Sequence, residues 1–381
     1  MAEPAKILIV DDSRVFRSIL EKIISTIPGV QVVGAVDSGL AAIEFLRMRA
    51  VDLMTLDVEM PELDGLETLK KMHASKSQLK AVPDVLMISS LTRTGSDTTM
   101  KALEFGAFDF IAKPATEIPG SQESLGRMLN TAIGAWASRR SRGVRTTAAA
   151  LPTSARPATM IGSGKPPTPA PAPAGFTYNL RPSTHTKPVM AIVMGISTGG
   201  PKSLAEMLPK LCSMTTLPIM LVQHMPPNFT KSLADSLSLK CSHTVVEGLH
   251  GTVVKDKTVY IAPGGSHMIV RPRGAEYVLE NNQDPPENGC RPSVDVLFRS
   301  AALAYPPDSL IGVVLTGMGN DGAPSMHILK NKSAYLIAQD EETSVVFGMP
   351  RAAAATGLLN KVAPLMRIPE AIVERINMGK R

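Results

Sequence analysis

Apolar and polar positions alternate along the first third of the chain in two different periods. The short apolar runs Lys6–Val10, Val32–Val36, Asp52–Leu56, Asp84–Ile88 and Ala107–Ile111 are separated by stretches at helical spacing, as in Val15-Phe16, Ile19-Leu20 and Ile23-Ile24. Five strand–helix repeats of this kind predict a parallel sheet with helices on both faces, and helical content over Gln122–Ala137 closes the unit. The pattern then stops. Residues 137–187 are rich in Ala, Pro, Thr, Ser and Arg, with Pro166-Pro167-Thr168-Pro169-Ala170-Pro171-Ala172-Pro173 in the middle. Proline at this density withholds backbone donors and favours extended chain, and the stretch is longer than a connection inside one compact domain. It is expected to be a linker between a domain at 1–136 and a second at 188–381.

Alternation resumes after it. Val189–Met194 and Pro218–Val222 read as strands, with a helix from about Pro201 between them. From His243 to Glu280 short runs broken by Gly, Pro and charge suggest hairpins, an antiparallel addition to the sheet. A helix near Val294–Ala302, strands at Ile311–Leu315 and Ser333–Ala338 and terminal helices complete the expectation. It is a doubly wound, mainly parallel α/β domain with a hairpin addition.

With 381 residues the chain is too long for one ordinary core, which agrees with two domains. No apolar run reaches the length of a membrane span, so direct membrane insertion is not expected, and the first residues lack a signal-peptide pattern. Cys212, Cys241 and Cys290 are odd in number and widely spaced, which suits a reducing, cytoplasmic setting. The net charge of +6 would suggest nucleic acid until it is located. Eight of the basic residues and no acid lie in 137–187, leaving −2 for the rest. Nucleic acid is therefore not an expected partner, and no helix-turn-helix candidate is present.

In an open parallel sheet, chemistry gathers at the carboxyl ends of the strands. In the first domain Asp11 and Asp12 close the first strand, Asp57 the third and Ser89 the fourth, while Lys113-Pro114 follows the fifth. Taken alone, Asp11-Asp12 reads as a helix cap. Taken together, three carboxylates suit a hard divalent cation. Lys113 and the Ser89 hydroxyl suit the oxygens of a phosphoryl group, and Asp57 suits a phosphoryl acceptor.

The second domain carries Gly195-Ile196-Ser197-Thr198-Gly199-Gly200-Pro201 between strand and helix. The turn matches Gly-x-Ser-x-Gly, which exposes a nucleophilic serine, and it equally matches a glycine-rich phosphate cradle. Against the cradle, the Walker pattern is missing and no acid sits about twenty residues on for a ribose. Two further strand ends carry His224 and Asp321, and a serine needs a histidine base oriented by a carboxylate. His267, after a glycine-rich turn, competes with His224, and Asp340 with Asp321. The order Ser197, His224, Asp321 is not that of α/β-hydrolases, so the triad points to a chemistry and not to that fold.

Asp11-Asp12, Asp57-x-x-Met60-Pro61-x-x-Asp64-Gly65, Ser89 and Lys113-Pro114 resemble a two-component response-regulator receiver. The resemblance implies a flavodoxin-like (βα)5 fold, Mg²⁺ at Asp11, Asp12 and Asp57, and phosphorylation of Asp57 by a histidine kinase. Phe110 stands where the family often has an aromatic that changes rotamer. The motifs around Ser197, Gln223-His224-Met225-Pro226, Ala262-Pro263-Gly264-Gly265-x-His267-Met268 and Leu315-Thr316-Gly317-Met318-Gly319-x-Asp321-Gly322 resemble the chemotaxis methylesterase family. That resemblance implies hydrolysis of glutamate γ-methyl esters on chemoreceptors, with Ser197 as nucleophile, His224 as base and Asp321 as its orienter. Oxyanion donors would lie near Thr198 and Met318, the catalytic domain would need no cofactor, and family members can also deamidate receptor glutamines. It further implies a receiver that obstructs the cleft until Asp57 is phosphorylated. The reading that competes is a receiver with a non-catalytic protein-binding output.

Overall fold

The computed structural model describes residues 3–114, 121–141, 178–181 and 185–379. In the N-terminal half, β1 (Ala5–Val10), β2 (Val30–Val36), β3 (Leu53–Asp57), β4 (Asp84–Ser89) and β5 (Asp109–Ala112) alternate with five helices. These are α1 (Arg14–Ile24), α2 (Gly39–Met48), α3 (Gly65–Ala74), α4 (Arg93–Glu104) and α5 (Ser121–Ser141). The strands form one parallel sheet in the order β2-β1-β3-β4-β5. Central β3 is buried throughout, because helices cover both faces. Capping follows the sequence: Ser13, Ser38, Asp64 and Thr92 each accept a backbone N–H in the first turn of the helix they precede.

The C-terminal half contributes β6 (Ala191–Ile196), α6 (Gly200–Met214), β7 (Ile219–Gln223), α7 (Phe229–Ser238), β8 (Thr244–Glu247) and β9 (Thr258–Ile261). There follow β10 (His267–Arg273), β11 (Glu276–Asn282), α8 (Val294–Ala304), β12 (Leu310–Val314) and α9 (Met326–Asn331). The half ends with β13 (Tyr335–Gln339), α10 (Met349–Ala355), β14 (Lys361–Ala363) and α11 (Ile368–Met378). Seven parallel strands lie in the order β14-β13-β12-β6-β7-β9-β8. The expected antiparallel hairpin is β10–β11, a two-stranded sheet of its own, whereas β8 and β9 join the main sheet in parallel.

Two limits of the expected linker shift. Helix α5 runs on to Ser141, past residue 136, because Trp136 is buried with its indole N–H on Asp84 and Arg140 pairs with Asp52. At the other end, His185, Thr186 and Lys187 are already bound to the second half. The His185 ring and the Thr186 and Lys187 N–H groups all meet Asp308, which the buried Arg375 also contacts at 2.8 Å. Arg181 N–H donates to the Leu359 carbonyl. The proline-rich middle, 142–177, lies outside the described residues.

The halves share a packed boundary. One apolar cluster continues from Met54, Met87, Met100 and Leu103 into Phe229, Leu233 and Leu237. Phe110 of β5 stacks on Phe229 of α7, with centroids 4.7 Å apart and planes 9° from parallel. Around this centre Ser96 and Asp97 of α4 bond Ser232, Lys240 pairs with Glu104, and Asn228 donates to the Leu91 carbonyl.

Candidate active site

Three neighbouring strands build the site. Val314 of β12 is in register with Gly195 of β6, and Ile196 with Gln223 of β7. One step beyond, Ser197 and His224 leave adjacent strand ends side by side, and the loop carrying Met318 and Asp321 rises from β12.

The Ser197 turn is held from beneath. Its N–H donates to the Thr316 carbonyl, and its carbonyl accepts from Gly200 N–H at 2.7 Å and from the Gln223 side chain at 3.0 Å. Gly199 sits at φ 75°, and a Cβ on Gly200 would lie 1.8 Å from Gln223 Oε1. Any other residue at 200 would displace the side chain that fixes Ser197. A Cβ on Gly317 would lie 2.7 Å from that of Ser197, so the Met318 loop approaches the serine at backbone distance. Among the described residues, the backbone N–H groups of Thr198 and Met318 donate to no protein acceptor. Both remain available to an oxyanion.

Asp321 is buried at the N-terminus of α8. Its carboxylate accepts from the Ser293 hydroxyl at 2.8 Å, from the N–H groups of Val294 and Asp295 at 2.7 and 3.1 Å, and from Asn288 at 3.2 Å. It also meets His224 Nε2 at 2.8 Å. Burial opposes the charge, but the His224 bond and these donors outweigh it and hold the carboxyl well below the usual range. For His224, burial opposes protonation, and Asp321 and Cys290 together, by hydrogen bond and by charge, overcome it and push the ring up to about 9. The other ring nitrogen, Nδ1, faces the Cys290 sulfur at 3.6 Å.

The competing residues are placed elsewhere. His267 is buried, with Nε2 on the Pro285 carbonyl and Nδ1 accepting from Ser293 N–H, so it fixes the loop ahead of α8. Asp340 caps its own turn through Thr343. Sequence reasoning missed Ser293, Asn288 and Cys290. The signal for Ser293 was a serine directly before an amphipathic helix; Asn288 and Cys290 gave none.

In the first half, Asp11, Asp12 and Asp57 bring carboxylate oxygens within 4.8 Å of one another. Lys113 Nζ lies 2.8 Å from Asp11 and 2.7 Å from Asp57. Burial, with the Asp11 charge adding to it, pushes Asp57 up to about 6 against the pull of Lys113. Asp11 Oδ2 is buried and makes no aligned hydrogen bond. An all-oxygen donor set with spare acceptor capacity and mutual repulsion fits Mg²⁺. Ser89 points away from this pocket: its hydroxyl donates toward the Gly95 carbonyl and lies 2.8 Å from Thr99 Oγ1 in α4.

Fold and site together define a response-regulator receiver joined to an α/β esterase-type output domain. The family model "CheB methylesterase" matches residues 192–372 and "Response regulator receiver domain" residues 7–119. A "Protein-glutamate methylesterase/protein-glutamine glutaminase" of Desulfotalea psychrophila is 39% identical over 383 residues, covering 98% of this chain and 99% of its own. Its namesake from Pyrococcus horikoshii is 37% identical over 379 residues, covering 99% and 95%. The solved catalytic domain of Thermotoga maritima CheB methylesterase is 40% identical, covers 49% of this chain and 98% of that domain, and has a TM-score of 0.47. The chain belongs to the CheB methylesterase family. No helix among the described residues is long and apolar enough to cross a membrane.

Proposed function

We propose that the protein hydrolyses glutamate γ-methyl esters on chemoreceptors through Ser197, His224 and Asp321, under control of phosphorylation at Asp57. The observation that carries this is the 2.8 Å contact of His224 Nε2 with a carboxylate already fixed by four other donors, on the strand end beside Ser197. With Nε2 engaged, Nδ1 is the nitrogen that takes the Ser197 proton as Oγ attacks the ester carbonyl. The N–H groups of Thr198 and Met318 receive the oxyanion. Collapse breaks the C–O bond, and His224 returns the proton to the departing methanol. Water then attacks the acyl-serine with His224 again as base, releasing glutamate and restoring Ser197. A glutamine side chain follows the same course with ammonia leaving.

The receiver carries the control. Mg²⁺, held by Asp11, Asp12 and Asp57, would supply charge neutralisation for phosphoryl transfer from a histidine kinase. A phosphoryl group on Asp57 offers oxygens to Lys113 and to Ser89. Turning toward it, Ser89 must give up Gly95 and Thr99, and so loosen the helix whose Ser96 and Asp97 grip Ser232. The docked receiver is then released from the esterase half.

The test is methanol release from methyl-labelled receptor membranes by wild type and Ser197→Ala, with and without a small phosphodonor. Release lost in the variant and raised by the donor is expected. No release from wild type under either condition would leave a receiver attached to a binding module.

A further inference from the structure

The Cys290 thiol makes and breaks no bond in the proposed hydrolysis, yet it is hydrogen-bonded to the imidazole nitrogen on which that chemistry depends. Cys290 is half-buried in the loop ahead of α8, fixed by paired backbone bonds with Glu287. His224 Nε2–H donates to Asp321, so in the neutral ring Nδ1 carries a lone pair. That lone pair accepts the Cys290 S–H across 3.6 Å from nitrogen to sulfur, and Asp321 completes a compact His-Cys-Asp group in which a cation could take the place of the thiol proton.

These are the dimensions of a metal bite. A tetrahedral Zn²⁺ with its usual bonds to nitrogen and sulfur needs them about 3.5 Å apart. The oxygens of Asp321 are occupied by protein donors, so this carboxylate is not a ligand but an orienter. A histidine ligand whose second N–H rests on a carboxylate is the usual support for zinc, because it fixes the tautomer and raises ligand basicity. Ligand type also separates this place from the receiver pocket. Three carboxylates suit Mg²⁺, whereas imidazole with thiolate suits a softer, d¹⁰ dication.

We propose that His224 Nδ1 and Cys290 Sγ form a regulatory site for a thiophilic divalent cation of the Zn²⁺ type, whose binding switches the esterase off. The cation takes the lone pair that would accept the Ser197 proton, so binding and hydrolysis exclude each other. The Cys290 proton, and the Nδ1 proton wherever His224 is charged, leave to solvent as the thiolate–metal and imidazole–metal bonds form. The switching half rests on the function proposed above; the binding half does not.

Full-length protein, reduced and with Mg²⁺ in excess to fill the acidic pocket, is titrated with Co²⁺ as a spectroscopic stand-in. A thiolate-to-cobalt charge-transfer band is expected, displaced by Zn²⁺, absent in Cys290→Ser and Cys290→Ala, and retained in Cys241→Ser. A band that persists in both Cys290 variants, or no band in wild type, overturns the site. In the same samples, Zn²⁺ is expected to lower ester hydrolysis by wild type at least about ten-fold, reversibly on chelation. Each Cys290 variant, measured against its own metal-free rate, should lose most of that sensitivity. A cobalt band that depends on Cys290 beside hydrolysis indifferent to Zn²⁺ overturns the switch. Absence of hydrolysis without metal counts against the functional reading, and the cobalt spectrum still decides the site.

Discussion

The carboxylate of Asp109 in β5 accepts a hydrogen bond from the backbone N–H of Gly199, two residues beyond Ser197, at 3.1 Å. The contact is buried and joins the receiver directly to the turn that presents the serine. Burial pushes the Asp109 carboxyl up to about 7, against the Phe110 and Gly199 N–H bonds. An ionised Asp109 would place negative charge beside the position where an oxyanion has to form.

Docking of the receiver should therefore depend on pH. Docked, Asp109 should keep its proton to about pH 7, and a release that exposes it to water should return it toward the ordinary aspartate range. The docked form is thus favoured in acid and weakens as pH rises toward 7. The ratio of unstimulated to phosphodonor-stimulated hydrolysis should climb over that interval. In Asp109→Asn, which keeps an acceptor and cannot ionise, the ratio should be lower and flat. The same slope in both proteins would contradict this.

The Phe110–Phe229 stack sets the strength of the same interface. Phe110→Ala removes a stacked ring and its burial, about 1–2 kcal/mol, or five- to thirty-fold in the ratio of docked to open forms. Unstimulated hydrolysis should rise by up to that factor, while the rate at saturating phosphodonor stays near wild type. An equal change in both rates would place the ring's effect inside the esterase half.

The raised pKa of His224 should set the acid limb of kcat/KM. The base works neutral, so a ring pushed up to about 9 makes hydrolysis fall as pH drops through that region. Asp321→Asn removes the charge of one of the two partners, Asp321 and Cys290, that raise it. The limb should then move toward the ordinary histidine value of about 6.5, with kcat lower by about 10³–10⁴. A limb that stays in place would mean another group titrates.

Chelation of Mg²⁺ should abolish stimulation by a phosphodonor and leave unstimulated hydrolysis intact, and Asp57→Asn should do the same. Mg²⁺ should also raise the melting temperature of wild type, since it relieves repulsion among Asp11, Asp12 and Asp57. Loss of unstimulated hydrolysis on chelation would point to a metal requirement in the esterase half.

The residues proposed to do chemistry were legible because strand periodicity and turn residues are local. A run such as Ile311–Leu315 followed by Thr-Gly-Met-Gly announces a strand end, and parallel strands put such ends together. What supports those residues was not legible. Asn288 and Ser293 act on Asp321 from another loop, and Asp109 and Phe229 meet Gly199 and Phe110 across a domain boundary. Such partners follow from packing between distant segments, which leaves no periodic mark. The helix that outran residue 136 is a milder case: Trp136 on Asp84 and Arg140 on Asp52 extend it through tertiary contacts, against a composition that resembles linker.

The site also has a kinetic meaning. His224 and Asp321 are separated by 97 positions, and Ser197 joins them only once β12, β6 and β7 lie side by side in register. Parallel neighbours so distant in sequence carry a high contact order and close late. Recovered turnover after dilution from denaturant is therefore a clock for that last long-range step, and helix content should return before it.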